Sequence, residues 1–200
     1  MMLYHSFYVS PLGTFVLVAD EKGLCELYFN DQSNNVLKMA TEVKEEENDV
    51  IRVAKRWLDL YFAREIPDFL PSLHFKGTTF QQKVWHQLLT IPYGTTTSYG
   101  EIAKQIGLEQ KKKTSPRAVG MAISKNPILL IIPCHRVIEK NGKIGGYAAG
   151  VERKIQLLAW EKHSVFKKQR RTVKNIVIVS NSYDAGAFDL VPIGYDDKWS

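Results

Sequence analysis

The stretch Ser98 to Ile123, SYGEIAKQIGLEQKKKTSPRAVGMAI, decides the architecture. Ser98-Tyr99-Gly100-Glu101 is a capping box, a hydroxyl residue followed three positions later by an acid, and it predicts a short helix ending at Gly107. After the loop LEQKKKT, Ser115 is placed to cap a second helix with Pro116 at its first position. That helix runs through Arg117-Ala118-Val119-Gly120-Met121-Ala122-Ile123 to a break at Asn126-Pro127. Two short helices joined by a turn, the second with a basic first turn, form a helix-turn-helix pattern whose second helix can dock on DNA.

Outward from this pair, Thr79-Phe80-Gln81-Gln82 reads as another capping box, opening an amphipathic helix to about Leu89 that Ile91-Pro92-Tyr93-Gly94 stops. Downstream, Asn141-Gly142 between RVIEK and KIGGY is a hairpin signal that predicts a wing. A last helix is expected over roughly Val151 to Lys162. Upstream, YHSFYVS, TFVLVAD and LCELYFN are separated by PLG and EKG and predict an antiparallel meander. In DVIRVAKRWLDLYFA, Val50, Val53, Ala54, Trp57, Leu58 and Tyr61 recur at helical spacing, so a helix should pack on that sheet. The expected fold is α+β, with units at 1–72 and 73–165 and a tail at 166–200 whose role the sequence does not reveal. The tail has a basic start, KKQRRTVK, and a strand-like piece, NIVIVS.

The chain has 200 residues, 44% of them apolar and 24% charged, a globular composition. The longest apolar run, Ile128 to Ile132, is too short to span a bilayer, and MMLYHSFYVSPLG has no basic region followed by an apolar signal segment, so no membrane association is expected. The expected compartment is the cytoplasm, or the nucleus in a eukaryote. Charge is uneven: residues 1–72 carry 7 Lys and Arg against 12 Asp and Glu, whereas residues 73–165 carry 14 against 5. A basic second half is what a polyanion such as nucleic acid would meet, although a basic surface without a partner fits the charge equally well.

Two cysteines, Cys25 and Cys134, lie far apart in sequence. No Cys/His spacing in the chain predicts a metal site or a disulfide framework. Cys25, inside GLCELYF, reads as a small buried hydrophobe. Cys134 follows the apolar strand-like run ILLII and Pro133, and it is flanked by His135 and Arg136. A thiol becomes a nucleophile where a base or a positive charge favours its thiolate. Adjacent residues on an extended chain point apart, so a Cys134–His135 contact requires a turn or a bridging water. A cysteine hydrolase and a transcription-regulating helix-turn-helix protein both remain open on these residues alone.

PCHRVI at 133–138, SPRAVGMAISKNP at 115–127, FQQKVWHQLLTIPYGTTTSYGEIA at 80–103, GGYAAG at 145–150 and RKIQLLAWE at 153–161 resemble the O6-alkylguanine-DNA alkyltransferase family. The resemblance runs in unbroken order over about residues 77–163 and more loosely over 4–70. It implies a ribonuclease H-like N-terminal unit and a winged helix-turn-helix C-terminal unit. It also implies irreversible transfer of a methyl or other alkyl group to Cys134 from O6 of guanine, with O4 of thymine as a second candidate donor. The protein would act once, as a monomer on double-stranded DNA carrying the adduct, with no cofactor, no metal and no obligate protein partner. Relatives in which tryptophan replaces this cysteine bind damage without repairing it.

Carried over by position, Cys134 is nucleophile and methyl acceptor, His135 relays its proton through water, and Glu161 orients His135. Asn126 braces the turn before the active segment. Tyr99 donates to the base at N3, the backbone near Ala148 bonds O6, and Tyr147 stacks on the extruded base. Main-chain carbonyls around Cys134 and Val137 recognise its exocyclic amine, and Ala149 completes the pocket. Arg117 matches the finger that fills the gap in the duplex, with Ser115, Ala118 and Arg136 as further DNA contacts. Ala148 stands where many members have a serine, and LEQKKKTSP is longer and more basic than in compact members.

Overall fold

The computed structural model describes residues 2–32 and 42–174, with side chains described through Lys162. Strands β1 (Met2–Ser10), β2 (Gly13–Ala19) and β3 (Leu24–Phe29) form the expected antiparallel meander. A fourth strand, β4 (Glu42–Glu45), pairs parallel with β1 and makes the sheet mixed, in the order β3-β2-β1-β4. Nothing in the acidic run around EVKE has the apolar alternation that would have announced it. Because β2 is internal, both of its faces are covered. Phe15, Leu17 and Ala19 join the main core, while Val16 and Val18 meet Leu3 on the other side.

Helix α1 (Asp49–Phe62) starts where the Asn48 side chain accepts a hydrogen bond from the Ile51 amide at 3.0 Å. It buries Ile51, Ala54, Trp57, Leu58 and Tyr61 against the sheet, whereas Val53, expected on that face, is exposed. Ile51 takes its place because the 3.6-residue period aligns it with Ala54, Leu58 and Tyr61.

The second half opens with α2 (Thr79–Leu89), capped one residue earlier than the sequence suggested. Thr78 accepts from Gln81, and the Gln81 side chain answers to the Thr78 amide. Trp85 on α2 donates its indole N–H to Ala122 O at 2.9 Å. A Cβ on Gly77 would sit 2.6 Å from that indole ring, so the chain needs glycine to pass over it. Helix α3 (Tyr99–Gln110) is capped by Ser98 as expected but continues past Gly107 to a left-handed C-cap at Lys111. Helix α4 (Pro116–Ile123) is capped by Ser115, whose hydroxyl accepts from the Ala118 amide at 3.2 Å.

Two expectations fail here. The run 128–132 is not a strand: it makes a single bridge, Leu27 to Ile128, and then turns, with Leu130 buried in the left-handed region at φ 69°. The predicted wing reduces to a turn closed by the Glu139 amide on Lys143 O at 2.9 Å and by Gly142 at φ 82°. The short strand β6 (Val137–Ile138) pairs instead in parallel with β5 (Thr97–Ser98), ahead of α3. Helix α5 (Val151–Lys174) extends beyond its expected end near Lys162 and takes in the start of the tail. The strand-like NIVIVS lies outside the described residues.

Both halves share one continuous hydrophobic core. The exposed edge of β3 supplies part of the joint: the Leu27 amide donates to Pro127 O at 2.9 Å, and Leu27 O accepts from the Leu129 amide at 2.8 Å. The sheet edge thereby fixes the segment that leads into Cys134, and an edge that would otherwise stay unpaired is covered.

Candidate functional site

Cys134, His135 and Arg136 form one turn of 3-10 helix after Pro133. This turn supplies the change of direction that two adjacent side chains need in order to serve one site. Three side chains on it are buried, with His135 0% exposed. Asn126, three residues beyond the end of α4, ties the turn together. Its Nδ2 donates to Ile132 O at 2.8 Å and reaches the Cys134 sulfur at 3.0 Å, and its Oδ1 accepts from the Ile128 amide at 3.0 Å. Both ends of the amide are thus bonded to the segment 128–134.

Burial pushes the Cys134 thiol up to about 11, against which the Asn126 hydrogen bond and the nearby Lys154 charge work in the opposite direction. The resting group is therefore a thiol, and chemistry at sulfur requires a base. His135 stands beside it with Nε2 bonded to Glu161 Oε1 at 2.8 Å. An ionised carboxylate only accepts, so Nε2 carries the proton and Nδ1 keeps its lone pair. Nδ1 is buried and has no partner among the described residues. Burial lowers the His135 pKa, while Glu161 pulls it upward.

Glu161, near the middle of α5, is held by five donors from three segments. Oε1 accepts from His135, from Arg136 and from the Tyr61 hydroxyl at 2.9 Å, and Oε2 accepts from Arg136 Nε at 3.0 Å and from the Gly94 amide at 2.9 Å. Burial alone would raise its pKa, but His135 and Arg136 outweigh that and bring it down to about 2. The carboxylate is a fixed anion.

Arg136 corrects an expectation. It is not a DNA contact: its guanidinium is buried, forked onto Glu161 and bonded to Ile91 O at 2.7 Å. The local reason is the 3-10 turn, which carries the side chain inward over the Tyr93 ring. Ser115 likewise spends its hydroxyl on the α4 cap. Arg117 is exposed in the first turn of α4, with Ala118 half-buried beside it and Lys111, Lys112 and Lys113 exposed just upstream.

The sulfur opens into a cavity of about 360 Å³ lined by Tyr99, Gly120, Ile123, Ser124, Cys134, Gly146, Tyr147 and Ala148, a volume within the range of small-molecule sites. Sequence reasoning had named Tyr99, Tyr147 and Ala148 and missed the α4 wall. The helical spacing of Gly120, Ile123 and Ser124 was the available signal. Tyr99 lies across Gly120, and Gly145, at φ 69°, brings its backbone close to the tyrosine hydroxyl, with a Cβ position only 3.4 Å away. Val137 and Ala149, expected in the pocket, are buried behind it rather than in its walls.

Lys154 was also missed. Although a lysine, it is 0% exposed, and its ammonium donates to Val137 O and Ile144 O, each at 2.6 Å, and to Gly146 O at 3.1 Å. It ties the pocket loop to the active turn and places a positive charge near the sulfur; burial lowers its own pKa. On the outer side of the loop, the Gln32 side chain donates to Ala148 O at 2.8 Å.

Among the described residues, Asp20, Cys25 and His74 bring metal-ligating atoms together. They come from distant positions, which is why no spacing revealed them. Their carboxylate is already committed: Oδ2 meets His74 Nδ1 at 2.6 Å, and Oδ1 accepts from the Lys22 and Gly23 amides. The group is complete as a hydrogen-bonded pair closing a turn. No helix among the described residues is long and apolar enough to cross a membrane.

A family model described as "6-O-methylguanine DNA methyltransferase, DNA binding domain" matches residues 79–163, and one described as "6-O-methylguanine DNA methyltransferase, ribonuclease-like domain" matches residues 3–70. A methylated-DNA--protein-cysteine methyltransferase of Mycobacterium leprae is 45% identical over 78% of this chain and 90% of its own. One from Methanosarcina acetivorans is 43% identical over 80% of this chain and 98% of its own. The crystal structure of the Mycobacterium tuberculosis O6-methylguanine methyltransferase superposes with a TM-score of 0.71 at 40% identity, covering 82% of this chain and 94% of that one. The same organism's protein in complex with DNA superposes at 0.70 with 41% identity, over 80% and 94%.

Proposed function

The chain belongs to the 6-O-methylguanine DNA methyltransferase family, and from that premise we propose that it repairs DNA by direct reversal, moving an alkyl group from O6 of guanine to the sulfur of Cys134. The observation that carries this reading is the position of that cysteine: in the wall of the cavity, its sulfur bonded by Asn126 and followed by the His135–Glu161 pair.

His135 Nδ1, the unprotonated ring nitrogen, takes the thiol proton through a water molecule. The thiolate attacks the alkyl carbon, so an S–C bond forms as the C–O6 bond breaks, and the electron pair stays on guanine. The Tyr99 hydroxyl and a backbone N–H near Ala148 are aimed at that developing charge. Glu161 stabilises the imidazolium that results. The product thioether has no route back to thiol within the site, so each molecule reacts once and no cofactor takes part.

A guanine inside a duplex cannot reach a buried sulfur, and extruding it costs a few kcal/mol, roughly. Arg117 is placed to enter the gap, and the basic 111–113 run to meet phosphates as the monomer binds. The units at 1–72 and 73–165 divide the work: the second holds the acceptor and the DNA surface, and the first braces it. O4-alkylthymine offers the same leaving-group chemistry at a smaller base. A duplex containing O6-methylguanine is the test substrate: guanine should be restored in proportion to protein added. Sequence-specific binding to undamaged DNA without transfer would favour a regulator instead.

A further inference from the structure

The Tyr61 hydroxyl belongs to α1, on the N-terminal unit, yet it ends on the carboxylate that orients the base of the C-terminal one. Tyr61 is 0% exposed and its O–H reaches Glu161 Oε1 at 2.9 Å, a contact spanning 100 residues of sequence. Its ring is held on several sides. Trp57 stacks on it at 5.5 Å, and Tyr93 and Phe62 meet it edge-on at 5.6 and 5.2 Å. Its carbonyl accepts from the Trp160 indole at 3.2 Å, next to Glu161 in the chain. A buried tyrosine needs a partner for its hydroxyl, but any backbone carbonyl would serve. This one shares the oxygen that receives the His135 proton.

We propose that Tyr61 is a positioning residue of the proton relay: by donating to Glu161 Oε1 it fixes that oxygen and weakens its hold on His135 Nε2–H, keeping the histidine neutral and ready to accept the thiol proton. The acceptor site is then complete only across both units. This inference rests on the alkyl-acceptor reading of Cys134. The charged and titratable groups facing the pair are Arg136 and Cys134 from the 3-10 turn, Tyr93 from the segment before β5, Lys154 from α5 and Tyr147 from the pocket loop. Arg136 bonds the same oxygen at 2.9 Å, and removal of the Tyr61 donor leaves more of that oxygen's charge density for His135. Burial beside Glu161 raises the Tyr61 pKa well above 10, so the hydroxyl remains a donor throughout the working range.

The test uses the full chain with Tyr61→Phe, which keeps the ring, and with a fluorotyrosine placed at position 61, which keeps the hydroxyl and makes it a stronger donor. Two readouts are needed: the NMR resonance of the His135 Nε2 proton, and the pH dependence of the rate of transfer to Cys134. Tyr61→Phe should move the resonance downfield and shift the acid limb of the rate profile up by about one pH unit, a roughly tenfold lower rate below that limb, since one hydrogen bond to a charged group is lost. The fluorotyrosine should shift both readouts the opposite way. A resonance and an acid limb unmoved by either change, with only thermal stability altered, would make Tyr61 a packing residue. If Tyr61→Phe does not fold, the fluorotyrosine protein decides alone by the same two readouts. Absence of transfer in the unaltered protein would sink the repair reading itself, a result separate from either outcome.

Discussion

Cys134 is buried and Cys25 half-buried, and desolvation pushes both thiols far up, to about 11 and about 12. What surrounds them differs. Cys25 faces the Asp20 carboxylate, which opposes a second negative charge, and its S–H points at Gly23 O at 3.6 Å. Cys134 faces an amide donor, a buried ammonium and a histidine whose free nitrogen is a base. Burial alone makes a thiol inert. Donors and a base make burial a dry setting where a thiolate, once formed, is poorly solvated and reactive.

The largest effect should come from exchanging the nucleophile: Cys134→Ala abolishes alkyl transfer in a single-turnover assay while leaving affinity for duplex DNA within about twofold, since no phosphate-facing charge is lost. Glu161→Gln comes next. It keeps the volume but strands Arg136, so the transfer rate should fall by about 10²-fold or more and unfolding by denaturant should show a loss of about 3–5 kcal/mol.

The acid stability of the protein sharpens the same point. Glu161 has its folded pKa depressed from 4.5 to about 2. Its contribution is therefore fully present above pH 4.5 and is lost as pH falls toward 2, an effect on the order of 3 kcal/mol. Unfolding free energies measured between pH 6 and pH 2 should decline over that window in the native chain, with a flatter decline in Glu161→Gln.

Arg117→Ala should slow repair of duplex O6-methylguanine by on the order of tenfold, the scale of a partly lost base-extrusion aid. Reaction with free O6-benzylguanine, which Ala148 and the open cavity are expected to admit, should change little. Equal loss on matched and mismatched duplexes would return Arg117 to an ordinary phosphate contact. The smallest effect belongs to the other cysteine: Cys25→Ala should leave the transfer rate unchanged and cost about 1 kcal/mol or less in thermal unfolding.

Local chemistry made much of this legible in the sequence. Ser98 and Ser115 announce their helices because a hydroxyl before a helical run satisfies an orphan amide wherever it occurs. The meander was readable from alternation and turn glycines. The parallel strand β4 was not, since its exposed residues EVKE pair through backbone alone. ILLII looked like a strand because an apolar run has no period of its own; tertiary contact with the edge of β3 turned it into a bend instead. At the site, the resemblance brought out Cys134, His135, Glu161 and Asn126. Arg136 was misread because a basic residue in a basic half suggests phosphate, while its true partner lies 25 positions away. Tyr61, Gln32 and Lys154 carried no local signal, because their roles exist only once distant segments meet.

The central claim is that Cys134 keeps the alkyl group. Intact-mass analysis of the protein after incubation with duplex DNA containing O6-methylguanine, followed by peptide mapping, tests it most directly. The account predicts one added methyl group per molecule, confined to the peptide that carries Cys134, with one guanine restored for each protein consumed. An unmodified protein after repair, a methyl group on Cys25, or many adducts removed per molecule would contradict it.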